Sequence, residues 1–180
     1  MATIMPAFSR YPQEAQIIGV LLAGYGEIEF GLADCFRAGF DDHETYWRAT
    51  FRLRQESERL NLMHAFLLPA FKLHGLDGDY GKAFGWVKDC KSIRNTYAHC
   101  HWGDNSKIGL YYVNLQDTAA KASGFPLNGK PLKLQKLKQE EAFFVSTRAW
   151  LNYLSHELAL RSGKAQSNPF STKPPEITKP

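Results

Sequence analysis

The sequence predicts a mainly α protein: an antiparallel bundle of four to five helices, with a small β-hairpin inserted before the last one. Three observations carry this. Apolar residues recur at steps of three and four over four long stretches, the period of a helix with one buried face. One stretch, "KIGLYYVNLQ", alternates with period two and is rich in β-formers. Gly and Pro collect between these patterns, where turns belong. A chain of 180 residues, 44% apolar and 22% charged, has the size and composition of one globular domain with its own core. That domain is expected over 1–161, with the hairpin insertion at about 107–137.

The first helix is expected over 13–38, where Ile18, Leu21, Leu22, Tyr25, Ile28, Leu32 and Cys35 keep the period. Gly19, Gly24, Gly26 and Gly31 inside it imply close helix packing or a break near 24–26, since each costs about 1 kcal/mol against Ala. "GYGEIEFG" is no dinucleotide loop, because no strand precedes it and the Gly spacing is wrong. In "GFDDHE", Gly39 ends the first helix and Asp41 with Glu44 gives a capping-box pattern for the next. The period from Tyr46 to Phe71 carries that second helix to about residue 73, with Pro69 expected to kink or split it. Gly75 closes it, and the third helix runs from about Tyr80 to Cys100.

"PLKLQKL" reads as the second, weaker strand of the hairpin, with turn chemistry at Gly124, Pro126 and Asn128-Gly129. The last helix is expected over 138–161, with Phe143, Thr147, Trp150, Leu151, Leu154 and Leu158 on one stripe. Residues 162–180, with four prolines and few apolar side chains, read as a flexible tail.

The net charge is +4, but Arg161, Lys164, Lys173 and Lys179 against Glu176 put three of those charges in 161–180. Within the body, residues 118–139 carry Lys121, Lys130, Lys133, Lys136 and Lys138 with no acid. This is either a phosphate-contacting segment or a solvated strand edge. No apolar run of membrane-spanning length is expected, and the N-terminus lacks the order of a secretory signal. Three scattered cysteines argue against a disulfide framework and for a reducing cytoplasm.

The chemistry concentrates in "IRNTYAHCHW", residues 93–102. At about 100° per residue, Trp86, Cys90, Ile93 and Tyr97 share one apolar face, and Lys88, Ser92, Asn95 and His99 share a narrow arc opposite. The imidazole therefore lies on a polar ridge that solvent, a ligand or a second subunit would meet. Arg94 lies about 140° from His99 on an ideal helix. It reaches the ridge by its length, by fraying of the helix end, or across a symmetric dimer.

Arg94-Asn95-Thr96-Tyr97-Ala98-His99 resembles the R-x4-6-H signature of the HEPN superfamily, in which a polar residue, often Asn, follows the Arg. There too the motif sits late on a long helix of a helical bundle, so the resemblance implies a HEPN-like bundle with the hairpin as an insertion. It implies a metal-independent endoribonuclease that needs no cofactor, usually a homodimer with facing motifs, and often a toxin or defence protein. A partner antitoxin or nucleotidyltransferase would fit the same family. The catalytic residues would be Arg94, Asn95 and His99. His101, Lys88, Ser92, Lys133 and Lys136 are weaker candidates for holding RNA.

The residue types suit the chemistry independently. RNA carries its own nucleophile, the 2′-OH; an imidazole moves protons near neutral pH, and a forked guanidinium stabilises a charged phosphorane-like transition state. Asn95, one turn before His99, can orient the ring or bond to phosphate. The alternative is a non-catalytic binding or dimerisation module using the same polar face. In it, Arg94 and His99 would simply favour a helix C-terminus.

Cys90, His99, Cys100 and His101 do not have the spacing of a zinc knuckle or ribbon, and no metal is expected. His64, on a stripe with Leu60 and Leu67, reads as a satisfied core or interface histidine. Glu27 and Glu29 read as surface carboxylates before partners of Arg94. Trp102, Tyr111 and Tyr112 read as core before base-stacking platforms.

Overall fold

A computed structural model describes residues 4–115 and 129–180. In chain order the elements are α1 (Pro6–Arg10), α2 (Pro12–Gly39), α3 (His43–Phe51), α4 (Glu56–Leu73), α5 (Asp77–Ala98), β1 (Cys100–Asn105), β2 (Gly109–Asn114), β3 (Lys130–Pro131) and α6 (Leu134–Arg161). The protein is mainly helical, as the periodicity requires, with a small antiparallel sheet of order β1-β2-β3. The expected turn residues Gly124, Pro126 and Asn128, and Lys121 of the basic segment, lie outside the described residues.

The chain divides into two compact units where one domain is expected over 1–161. The first holds Met1–Tyr25, Cys90–Phe144 and Lys179–Pro180; the second holds Gly26–Asp89 and Val145–Thr178. Helices α2, α5 and α6 contribute residues to both.

In the second unit the buried stripe of α2 (Ile28, Leu32, Phe36) belongs to a core with Met63, Leu67 and Phe71 of α4, Tyr80 and Val87 of α5, and Trp150, Leu154 and Leu158 of α6. Helix α4 ends as its sequence announces. Gly75 takes a φ of +67°, the Leu76 N–H reaches the Phe71 carbonyl at 2.9 Å, and the Gly75 N–H reaches Lys72 at 3.1 Å. This is a Schellman cap, with Phe71 and Leu76 as its buried apolar pair.

Several expectations are corrected here. The helix expected from 44 to 73 is two helices, and the break falls at 52–55, not at Pro69. Arg59 explains the break: its Nη1 donates to the Leu53 carbonyl at 3.1 Å while its guanidinium pairs with Glu29 at 2.8 Å. Pro69 stays inside α4 between the fully buried Leu67 and Phe71, whose packing offsets the lost backbone bond. No capping box forms: Asp42 is the N-cap and makes no side-chain cap bond, and Asp41 pairs with Lys164 at 2.8 Å. Helix α2 runs unbroken through 24–26, and among its internal glycines only Gly31 marks a close approach.

Helix α2 is also long and apolar enough, by length and composition alone, to cross a membrane. Its stripe from Ile18 to Phe36 is instead buried among the protein's own side chains. Residues 162–180, expected to be a flexible tail, carry no helix or strand but make defined contacts. The Pro175 carbonyl accepts the Trp150 indole N–H at 2.8 Å, Asn168 donates to Glu157 at 2.9 Å, and Lys173 pairs with Asp79 at 2.6 Å.

In the first unit, Ile18, Leu21 and Tyr25 of α2, Ile93 and Tyr97 of α5, Leu110 and Val113 of β2, and Leu137 and Phe143 of α6 are buried. Strand β1, which the sequence pattern does not announce, pairs antiparallel with β2, Cys100 opposite Asn114 and Trp102 opposite Tyr112. The turn between them is built by Asn105, whose Oδ1 accepts the N–H groups of Lys107 and Ile108 at 2.9 and 3.0 Å. The second strand expected over 131–137 shrinks to Lys130–Pro131, because α6 already begins at Leu134 to bury Leu137.

Candidate functional site

Helix α5 ends at Ala98 and β1 begins at Cys100, so His99 alone joins helix to strand. The junction is tight because both sides are tied down. On the helix side Tyr97 is buried, donates its hydroxyl to Glu140 Oε2 at 2.5 Å, and packs against the rings of Trp102 and Tyr112, each at 5.8 Å. Burial first, and the bond to the Glu140 carboxylate second, push the Tyr97 hydroxyl far above its ordinary titration range. Thr96 closes the last turn by donating to the Ser92 carbonyl at 2.9 Å, and the Cys100 thiol donates back to the Thr96 carbonyl at 2.5 Å. On the strand side β1 is held along its length by β2.

His99 is exposed and has no side-chain hydrogen bond or ion pair among the described residues. Arg94 is half-buried. Its Nη1 donates to Asn95 Oδ1 at 2.7 Å, and its guanidinium lies over the Tyr25 ring at 5.8 Å. The structure therefore brings Arg94 and Asn95 together, with Asn95 holding the guanidinium by its amide oxygen. His101 is exposed on β1, opposite Val113, and Ser92 is exposed on α5.

The remaining weak candidates are placed differently. Lys88 belongs to the second unit, where its ammonium lies over the Phe84 ring at 5.3 Å. Lys133 is exposed just before α6, and Lys136 pairs with the buried Glu140 at 3.5 Å. Glu29 is taken by Arg59, and Glu27 is exposed in the second unit. His64 stacks on Phe84 at 4.2 Å and meets the Tyr80 hydroxyl at 3.2 Å, so it is a packed histidine of the second unit. Among the described residues no group of three His, Cys, Asp or Glu side chains could hold a metal ion.

Sequence reasoning missed three contributors. Tyr25 offers its ring to Arg94 from 69 positions away, and no local pattern signals that. Glu140, in a Lys-rich stretch, becomes the buried acceptor of Tyr97. Arg10 pairs with Asp104 at 2.5 Å and, with Phe8 against Trp102 at 5.2 Å, ties α1 to β1. Phe8, Tyr97, Trp102 and Tyr112 form one aromatic cluster beneath the junction, which places Trp102 and Tyr112 in the packing of the first unit.

Comparison with family models, with curated proteins and with solved structures finds no match to this chain.

Proposed function

We propose that the chain is a HEPN-type, metal-independent endoribonuclease acting as a homodimer, with Arg94, Asn95 and His99 as its working residues. The observation that supports this reading is an exposed, unengaged imidazole at His99, just past the helix end whose last turns carry the Arg94 guanidinium, held by Asn95 at 2.7 Å. Both come from one short motif on one helix end.

The chemistry follows from those groups. The 2′-oxygen attacks the adjacent phosphorus and the bond to the 5′-oxygen breaks, leaving a 2′,3′-cyclic phosphate and a 5′-hydroxyl. One proton leaves the 2′-OH and one reaches the departing oxygen, and an imidazole serves either transfer. Negative charge grows on the non-bridging oxygens, where a fixed guanidinium is worth most. Asn95 reduces the freedom Arg94 would otherwise lose on meeting the phosphate. Toxin or defence roles are consistent with such an activity.

The rival is a non-catalytic module that meets a protein partner through the same face. One observation favours it: Arg94 already has company in Asn95 and the Tyr25 ring, which is how a structural arginine is held. Purified protein incubated with total RNA in EDTA separates the two. The expected outcome is cleavage that falls by at least about a hundredfold in His99→Ala and in Arg94→Ala, with circular dichroism unchanged. Equal cleavage by all three proteins, or none by any, overturns the nuclease reading.

A further inference from the structure

We propose that the groove between α2 and α6 in the second unit is a binding site for a small organic phosphate monoester. The proposal goes beyond the RNA chemistry, since it needs none of Arg94, Asn95 or His99, which belong to the first unit. The cavity in this groove measures about 370 Å³ and is lined wholly by residues of the second unit. Small-ligand sites run from about 300 to 1,000 Å³.

Two helix stripes line it. Asp34, Arg37 and Ala38 stand at i, i+3 and i+4 on α2. Asn152, His156 and Ala159 stand at i, i+4 and i+7 on α6. Residues so spaced share one helix face, so each set looks into the same groove. Ala38 and Ala159 are short and leave room between the polar groups.

Those polar groups have donors to spare. Arg148 can only donate, so its bond to Asn152 Oδ1 fixes which way the amide points. The Asn152 Nδ2 donor is then left without a partner among the described residues. The Arg37 side chain is 72% exposed and gives a single N–H to Asp34, at 3.4 Å. The rest of its fork has no partner among the described residues. His156 is exposed and has no side-chain hydrogen bond or ion pair among them. Lys164 completes the wall, and its partner Asp41, at 2.8 Å, is 98% exposed. A pair with so hydrated a carboxylate is weak and readily exchanged.

One carboxylate stands in the wall, and it is already met. Asp34 faces Arg37 at Oδ1 and Arg148 at Oδ2, at 3.4 and 3.3 Å. Three cations (Arg37, Arg148 and Lys164) thus stand against two carboxylates (Asp34 and Asp41), and the surplus is positive. A phosphate monoester brings nearly two negative charges and three acceptor oxygens. A forked guanidinium, an ammonium and an amide N–H are the donors that such a group takes. Inorganic phosphate would fill a small part of the cavity, so there is room for the group that the ester carries.

The test is calorimetric titration of the native protein in a phosphate-free buffer at low salt. AMP and glycerol phosphate are the probes, with adenosine, glycerol and inorganic phosphate beside them. At least one ester should bind with a Kd below about 1 mM, and at least about tenfold more tightly than inorganic phosphate or its own unphosphorylated parent. Asn152→Asp keeps the acceptor for Arg148 but replaces Nδ2 with a charged oxygen, and Arg37→Gln removes the fork. Each should weaken the ester at least about tenfold, the loss of one hydrogen bond to a charged group, with circular dichroism unchanged. Failure of both esters to bind overturns the proposal, as does equal binding by inorganic phosphate or by the unphosphorylated parent. Ester binding that both variants leave unaltered also overturns it, because the phosphate is then held elsewhere on the chain.

Discussion

Tyr97 shows how one residue sets the site without touching it. Its hydroxyl donates to a carboxylate that is itself buried, and Lys136 lies beside that carboxylate at 3.5 Å. Tyr97→Phe removes the donor and leaves Glu140 short of a partner in a dry place. The expected loss is about 1–3 kcal/mol by urea unfolding. His99 lies two residues on, so the same variant should also lower RNA cleavage. The exposure of Ser92 and His99 and the burial of Ile93 and Tyr97 were legible in the sequence, because a rotation of about 100° per residue separates the faces. The partner of Arg94 was not. Neighbours at i and i+1 do not ordinarily face each other on a helix, yet Arg94 bonds to Asn95. The Tyr25 ring comes from another helix altogether.

At the scale of elements, the glycines of α2 separate what propensity says from what packing demands. A Cβ at Gly31 would meet the Arg148 guanidinium and the Leu151 side chain at 3.0 Å. Gly19, Gly24 and Gly26 face nothing within 4 Å. Ala at each of those three positions should raise stability by up to about 1 kcal/mol, since helical backbone entropy is all that changes. Gly31→Ala should lower it, because the neighbours must give way. Thermal melts of the four single variants check both signs. The long helices were legible from their period, and the Gly75 cap from its residue type. The break at 52–55 was not, because the tertiary bonds of Arg59 to Leu53 and Glu29 create it. Strand β1 was missed for a related reason. "CHWGDN" has no alternation of its own, and its register comes from pairing with β2.

For the molecule as a whole, stability is expected to depend on pH through a histidine of the second unit. His64 lies half-buried in the second unit, flat against Phe84, with Nδ1 3.2 Å from the Tyr80 hydroxyl. Burial pushes the Tyr80 hydroxyl well above its ordinary range, so it keeps its proton, and a neutral His64 ring can accept it. Burial first, and the nearby Lys88 charge second, hold the His64 pKa below the ordinary 6.5. In the unfolded chain that shift is absent. As pH falls through 6.5 the unfolded chain takes up the proton first, and folding then opposes protonation. The stability that His64 contributes is therefore complete above 6.5 and declines as pH falls through the lowered folded value. Below that value both states are protonated and the slope ends. Melting temperatures measured from pH 8 to pH 5 should fall on the acid side of 6.5. In His64→Gln, which cannot titrate, that part of the fall should disappear while His99-dependent RNA cleavage at pH 8 stays as it was. A native profile that is flat across this window, or one that His64→Gln leaves unaltered, would show that the ring is not held neutral by its surroundings.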